Sequence, residues 1–306
     1  MPSGFFVTNH YHIFGLDIES AIPLPAAPVS GHSGRRLPDV VIKYGNPPDH
    51  LVSPQSKSTR YQARPGEFLL HVDSVARYYV RDGRNIVVAP EPGAEDESVL
   101  IFLLGSAFGA LLHQRKILVL HAGALEVKGC SVLFTGDSGI GKSTLAAGFH
   151  KRGYPFLADD VCAVGMINGQ PAVLPGFPRL KLWADVLTKL KQDKDHLKSV
   201  RWTKGMDKYF LPVDPVHKSP ILLKSVFVLE AAKSDEIEIT RLTGTDKINF
   251  IIKNTYRLQF LNGLGGKEDH FRQCAAVAAQ TSVFRVVRPR SGFLLEELMN
   301  ALETKF

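Results

Sequence analysis

The sequence predicts an α/β fold built around a phosphate-binding loop and preceded by a smaller β-rich module. Three observations point there. Residues Gly136-Asp137-Ser138-Gly139-Ile140-Gly141-Lys142-Ser143 fit the spacing G-x-x-x-x-G-K-[ST]. An apolar run, 131–135, enters that loop, and a stretch with helical apolar spacing, 144–152, leaves it. The first ninety residues instead carry short strand patterns separated by proline and glycine.

The β-rich module is read over residues 1–95. Phe5-Phe6-Val7 and His12-Ile13-Phe14 open it, Pro23, Pro25 and Pro28 punctuate it, and 31–36 reads as an exposed loop. Residues 68–72, 76–80 and 85–89 are strand-like, and Asp82-Gly83 supplies a hairpin turn. Turn residues and acids combine over 90–97, which marks the boundary to a second domain, 96–306. The apolar run 99–112 is interrupted by Ser106 and falls short of the roughly 20 residues a membrane span needs, so it reads as a buried helix.

In the second domain, 117–121 reads as a core strand continued by 124–127, and Lys128-Gly129 turns into the strand that carries the loop. Cations in the last turn and Gly153 stop the following helix. Residues 154–158 then form an apolar strand ending on Asp159-Asp160, and Asn168-Gly169 makes a second hairpin. Further on, 271–279 and 294–302 read as helices, 283–287 as a strand, and Gly263-Leu264-Gly265-Gly266 as a flexible loop.

The chain has 306 residues, 44% of them hydrophobic, enough for a real core in two domains. Its net charge of +7 suits an anionic ligand, but no dense basic block implies nucleic acid. The Lys/Arg-rich stretch 181–208 reads as a solvated, mobile face. Cys130, Cys162 and Cys274 lack C-x-x-C spacing, which argues against a zinc site or a disulfide framework and for a reducing cytoplasm. The N-terminus does not read as a signal peptide, and no membrane partner is expected.

The chemistry follows from residue type. Glycines let the backbone of 136–144, from Gly136 to Thr144, approach the phosphates of ATP or GTP. Lys142 places its ammonium on the β- and γ-phosphates, and Ser143 holds Mg²⁺. Asp159 and Asp160 divide two tasks: one carboxylate serves the metal, and its neighbour, pointing to the opposite side of an extended segment, faces an acceptor hydroxyl as general base. His121 is either a structural hydrogen-bonding residue or a contact to phosphate or to the acid pair. Arg179 and Lys181 are candidates for the γ-phosphate or an acidic peptide, with Lys204 and Lys208 behind them. Asn254-Thr255-Tyr256-Arg257 is a further candidate contact for nucleotide or acceptor.

Four blocks, His121-Ala122-Gly123, the loop 136–143, Arg152-Gly153-Tyr154 and Leu157-Ala158-Asp159-Asp160, resemble in order and spacing the catalytic domain of HPr kinase/phosphorylase. The resemblance covers 115–165 and implies the fold shared by that family and phosphoenolpyruvate carboxykinase. It implies Lys142 on phosphate, Ser143 and Asp159 on the metal, Asp160 as base, and His121 in support. Thr144 stands where the family usually has a metal-associated glutamate, and Pro175-Gly176-Phe177-Pro178-Arg179-Leu180-Lys181-Leu182-Trp183 is the nearest counterpart of the family's glycine motif. His12-Ile13-Phe14-Gly15-Leu16 with Ile22-Pro23-Leu24-Pro25 is similar to HPr-kinase-like proteins of bacterial peptide-modification clusters, including lasso-peptide clusters whose kinases act on a C-terminal serine of the precursor.

The expectation is an ATP- and Mg²⁺-dependent kinase acting on a hydroxyl of a peptide or small-protein acceptor, as a monomer or homo-oligomer. A small-molecule kinase and a nucleotide-dependent binding protein without transfer activity are the alternatives.

Overall fold

Alternating buried and exposed positions in the first ninety residues assemble one eight-stranded sheet. The computed structural model describes residues 8–24, 27–29, 37–193, 196–200, 207–214, 219–233, 236–290, 292 and 294–306. Phe5-Phe6-Val7, Pro25, the stretch 31–36 and Lys204 lie outside the described residues. The sheet contains β1 (Asn9–Ile13), β2 (Leu16–Ser20), β3 (Val40–Tyr44), β4 (Ser56–Lys57), β5 (Tyr61–Arg64), β6 (Glu67–Val72), β7 (Ala76–Arg81) and β8 (Asn85–Pro90). Its order is β1-β2-β3-β8-β7-β6-β5-β4. Asp82 and Gly83 both take positive φ, 55° and 60°, as the tight β7–β8 hairpin requires.

The buried face of this sheet is covered by a long helix. It runs as α1 (Asp96–Phe102), a π-helical stretch (Leu103–Ala107) and α2 (Phe108–Gln114). Asp96–Gln114 is apolar and long enough to cross a membrane, but most of it is packed inside the fold. Tyr78 of β7 donates from its hydroxyl to Val99 O at 2.8 Å, tying sheet to helix. The same core takes in Phe177, Tyr256 and Phe260 from further along the chain.

The second sheet carries the glycine-rich loop 136–143. Its strands are β9 (Leu118–Leu120), β10 (Ala122–Val127), β11 (Cys130–Gly136), β12 (Phe156–Ala158), β13 (Cys162–Ile167) and β14 (Gln170–Leu174). The helix α3 (Lys142–Lys151) lies between β11 and β12. A separate three-stranded sheet, ordered β15-β17-β16, is formed by β15 (Arg179–Trp183), β16 (Lys198–Val200) and β17 (Lys208–Pro212), with α4 (Ala184–Lys189) after its first strand. The long β18 (Ile221–Ala232) returns to the main sheet, followed by β19 (Glu238–Arg241), α5 (Gly244–Lys253), α6 (Leu261–Leu264), α7 (Lys267–Gln280), β20 (Ser282–Pro289) and α8 (Leu295–Glu303). The main order is β12-β10-β11-β18-β14-β13-β9, and β20 joins along β18 with β19 outside it. Strands β11, β18 and β20 run parallel.

Four expectations are corrected. Residues 117–127 are not one strand, because the His121 backbone N–H leaves the ladder to donate to Asn254 O at 2.9 Å. On either side of that break, β9 pairs with β13 while β10 pairs with β11 and β12. The Lys-rich stretch 181–208 keeps Lys189, Lys191 and Lys198 exposed, but where it is described it is built as β16, α4 and parts of β15 and β17 rather than as a loose segment. Gly263 lies in α6 rather than in a flexible loop, packed so closely that a Cβ there would meet Ala63 Cβ at 2.6 Å. The acid pair does not continue as extended chain, since Asp160 has φ 68°.

Candidate active site

The parallel register of β11 and β18 sets Gly136 beside Leu229. A Cβ on Gly136 would stand 2.4 Å from Leu229 O, and its φ is 137°, so only glycine fits where the strand opens into the loop. Gly141, at φ 104°, caps α3 from the left-handed region. The first turn of α3, with Lys142, Ser143 and Thr144, directs backbone N–H groups without intrahelical acceptors at the loop. Lys142 Nζ donates to Gly136 O and Asp137 O at 2.9 and 3.0 Å. Burial lowers its pKa, against the opposing charges of Asp160, Asp159 and Asp137.

Beneath the loop Phe134 stacks on Phe149 and Phe227, at 5.4 and 5.8 Å between ring centroids. From the far side Arg288 of β20 donates to Ile140 O at 2.9 Å and to Pro289 O at 2.8 Å, bracing the loop. Sequence reasoning missed Arg288. No local motif marks it, and only the β18–β20 pairing brings it to the loop.

The acid pair closes the opposite wall. Asp159 Oδ1 accepts from Ser143 Oγ at 2.8 Å, and Oδ2 accepts from the Lys181 backbone N–H at 3.1 Å. Burial, and then the Asp160 charge, raise the Asp159 pKa. At Asp160 burial pushes upward too, but the Lys181 ammonium and His121 outweigh it and hold the carboxyl well below the usual range. Lys181 Nζ lies 3.0 Å from Asp160 Oδ2, and His121 Nδ1 lies 3.1 Å from Oδ1. The left-handed turn at Asp160 thus separates the two carboxylates, one to the loop serine and one to His121 and Lys181.

His121 is itself fixed at both backbone groups: its N–H donates to Asn254 O, and its carbonyl accepts from Thr135 Oγ1 at 2.9 Å. Two residues on, a Cβ at Gly123 would meet Ala146 Cβ at 3.2 Å, a close approach that brings α3 onto β10. These contacts give His121-Ala122-Gly123 its physical meaning.

A cavity of about 560 Å³ joins these groups. The loop, His121, Asp160, Lys181, Trp183, Lys208 and the run Asn254-Thr255-Tyr256-Arg257 line it. That run is bound on several sides: Thr255 bridges to Leu120, Tyr256 N–H donates to Val119 O at 2.8 Å, and the His113 ring contacts Tyr256 O at 2.8 Å. Arg257 follows in the left-handed region, φ 52° and ψ 43°. Arg179 stands apart from the cavity lining. Its guanidinium lies 4.2 Å from the Phe210 ring centroid and borders a small void behind the acid pair with Ile101 and Leu104. Burial lowers its pKa to about 10, against the nearby carboxylates, so the group stays charged.

Among the described residues no group of three or more His, Cys, Asp or Glu side chains is arranged as a metal site. The Ser143 hydroxyl and Asp159 carboxylate are nevertheless adjacent hard oxygen donors, which fits Mg²⁺, an ion held by one or two protein oxygens with phosphates and water.

A strand, a glycine-capped loop, a helix N-terminus and an acid pair whose Asp159 is bonded to the loop serine make up the site. Comparison with known proteins finds similarity to HPr kinases over the segment that holds this site. The family described as HPr Serine kinase C-terminal domain matches residues 113–177. The chain is 38% identical over 56 residues to the HPr kinase/phosphorylase of Treponema pallidum (strain Nichols), covering 18% of each protein. It is 46% identical over 50 residues to the HPr kinase/phosphorylase of Clostridium kluyveri (strain NBRC 12016), covering 16% of each. The Hpr(Ser) kinase/phosphatase from Coxiella burnetii aligns with 61% of this chain and 95% of its own, at 13% identity and a TM-score of 0.30.

Proposed function

We propose that this protein is an ATP-dependent kinase that transfers the γ-phosphoryl group to a hydroxyl, and that its acceptor is a serine of a peptide or small protein. The carrying observation is the placement of Asp160: a carboxylate kept ionised by Lys181 and His121, on the wall of the cavity that the phosphate loop lines. An ionised carboxylate there accepts the hydroxyl proton as the oxygen attacks phosphorus. The loop N–H groups and Lys142 bind the phosphates, and His121 orients Asp160 through its ring nitrogen. Ser143 and Asp159 would hold Mg²⁺, which when bound offsets phosphate charge. Catalysis in this scheme is positioning and electrostatics.

The N-terminal resemblance supports a precursor peptide of the lasso type as acceptor, with residues 1–95 as a module that shares a core with the catalytic domain 96–306 and the cytoplasm as the site of action. The test is incubation with γ-labelled ATP and Mg²⁺ against HPr, serine peptides with free C-termini, and polyols, with Lys142→Ala as control. Label on a peptide, absent from the control, is the expected result. Label on a polyol alone would replace the peptide by a small molecule, and ATP binding without label on any acceptor would overturn the transfer reading.

A further inference from the structure

The small sheet β15-β17-β16 has two unlike faces. Leu180, Leu182 and Leu211 turn to the core beside Val186 and Leu187. The antiparallel register pairs Trp183 with Lys208 and Lys181 with Phe210, so Lys181, Trp183 and Lys208 share the opposite face. These three residues line the phosphate cavity together with the loop and Asp160.

Lys181 is paired with Asp160. Lys208 has no ion-pair partner among the described residues; its ammonium rests 4.3 Å from the centroid of the Trp183 ring. Burial, and then the Lys181 charge, push the Lys208 pKa down. Four ammonium groups therefore line one cavity: Lys253 is drawn to Asp137 at 3.8 Å, while Lys142, Lys181 and Lys208 face an acid pair already engaged by Lys181, His121 and Ser143. Partly desolvated like charges are unfavourable without an anion between them. A cation–π contact holds such a group in place more weakly than a phosphate would.

We infer that Lys208 is a binding residue for the terminal phosphoryl group of the nucleotide, parked on Trp183 and drawn from the ring when that group arrives. The identity of the anion rests on the kinase reading above. Trp183 supplies the reporter, and Trp202→Phe removes the chain's other tryptophan. In that background, Mg²⁺ with β,γ-imido-ATP should change the Trp183 emission, and Mg²⁺ with ADP should leave it nearly unchanged. Lys208→Gln should weaken β,γ-imido-ATP binding about tenfold or more and leave ADP binding unaltered, a loss typical of a charge-assisted contact. Lys208→Arg should restore most of that affinity, and a native circular dichroism spectrum for each variant separates the effect from misfolding. Equal loss for both nucleotides, or loss for neither, would overturn the assignment. These readouts need no acceptor, so failure of phosphoryl transfer to every hydroxyl would count against the kinase reading and not against Lys208.

Discussion

Gly136 has no room for a methyl group. Its added Cβ would meet a backbone carbonyl that β18 cannot move without breaking the sheet, and the residue's φ of 137° adds strain. Gly136→Ala should lower stability by about 1–3 kcal/mol and abolish ATP binding, as thermal unfolding and nucleotide titration would show. Gly153 offers the contrast: its φ is 93° but nothing lies within 4 Å, so Gly153→Ala should cost about 1 kcal/mol and leave ATP binding intact. At this scale the sequence was informative. Loop glycines, Lys142, Ser143, both aspartates and His121 are recognisable by type and spacing, and the structure brings them together. The direction of each carboxylate was not legible, because the left-handed turn at Asp160 replaces the alternation of an extended chain. Arg288 was equally hidden, being distant in sequence from the loop it braces.

Elements show why a composition-based reading missed the small sheet. Leu180 and Leu182 alternate with Lys181 and Trp183, which is a strand's period, but the surrounding lysines make the stretch look solvated. The π-helical stretch between α1 and α2 was also invisible, since its residues fit an ordinary buried helix. Next to it Tyr256 lies against Gly105 and Gly109; a Cβ on Gly109 would meet the Tyr256 ring at 2.9 Å. Gly109→Val should therefore displace the run Asn254-Thr255-Tyr256-Arg257 from the cavity wall. We expect a loss of about 1–3 kcal/mol in urea unfolding together with reduced nucleotide affinity. Unchanged affinity in a folded variant would show that the run does not shape the site.

For the whole molecule, one core joins the N-terminal sheet to the residues behind the acid pair. Phe177 packs edge-on against Phe14 and Phe108, with centroids 5.5 and 5.3 Å away, and such contacts between distant segments have no signature in local sequence. His113, near the end of α2, is part of this junction through Tyr256 O. Burial pushes its pKa from 6.5 to about 4, against the favourable effect of that carbonyl. Between those values the unfolded chain binds the proton and the folded chain does not, so stability falls as pH drops from 6.5 towards 4. The contribution of this one residue is about 3 kcal/mol over that window. Denaturant unfolding at several pH values should show a shallower acid slope for His113→Gln than for wild type; an identical slope would mean that other groups carry it.

Asp160→Asn, assayed in a single turnover with γ-labelled ATP and a serine peptide that the wild type labels, tests the central claim most directly. Removing a general base from a site otherwise intact should slow transfer by about 10²-fold or more while ATP affinity stays near wild type. Transfer at an undiminished rate would contradict the assignment of Asp160 as the base and, with it, the mechanism built on the acid pair.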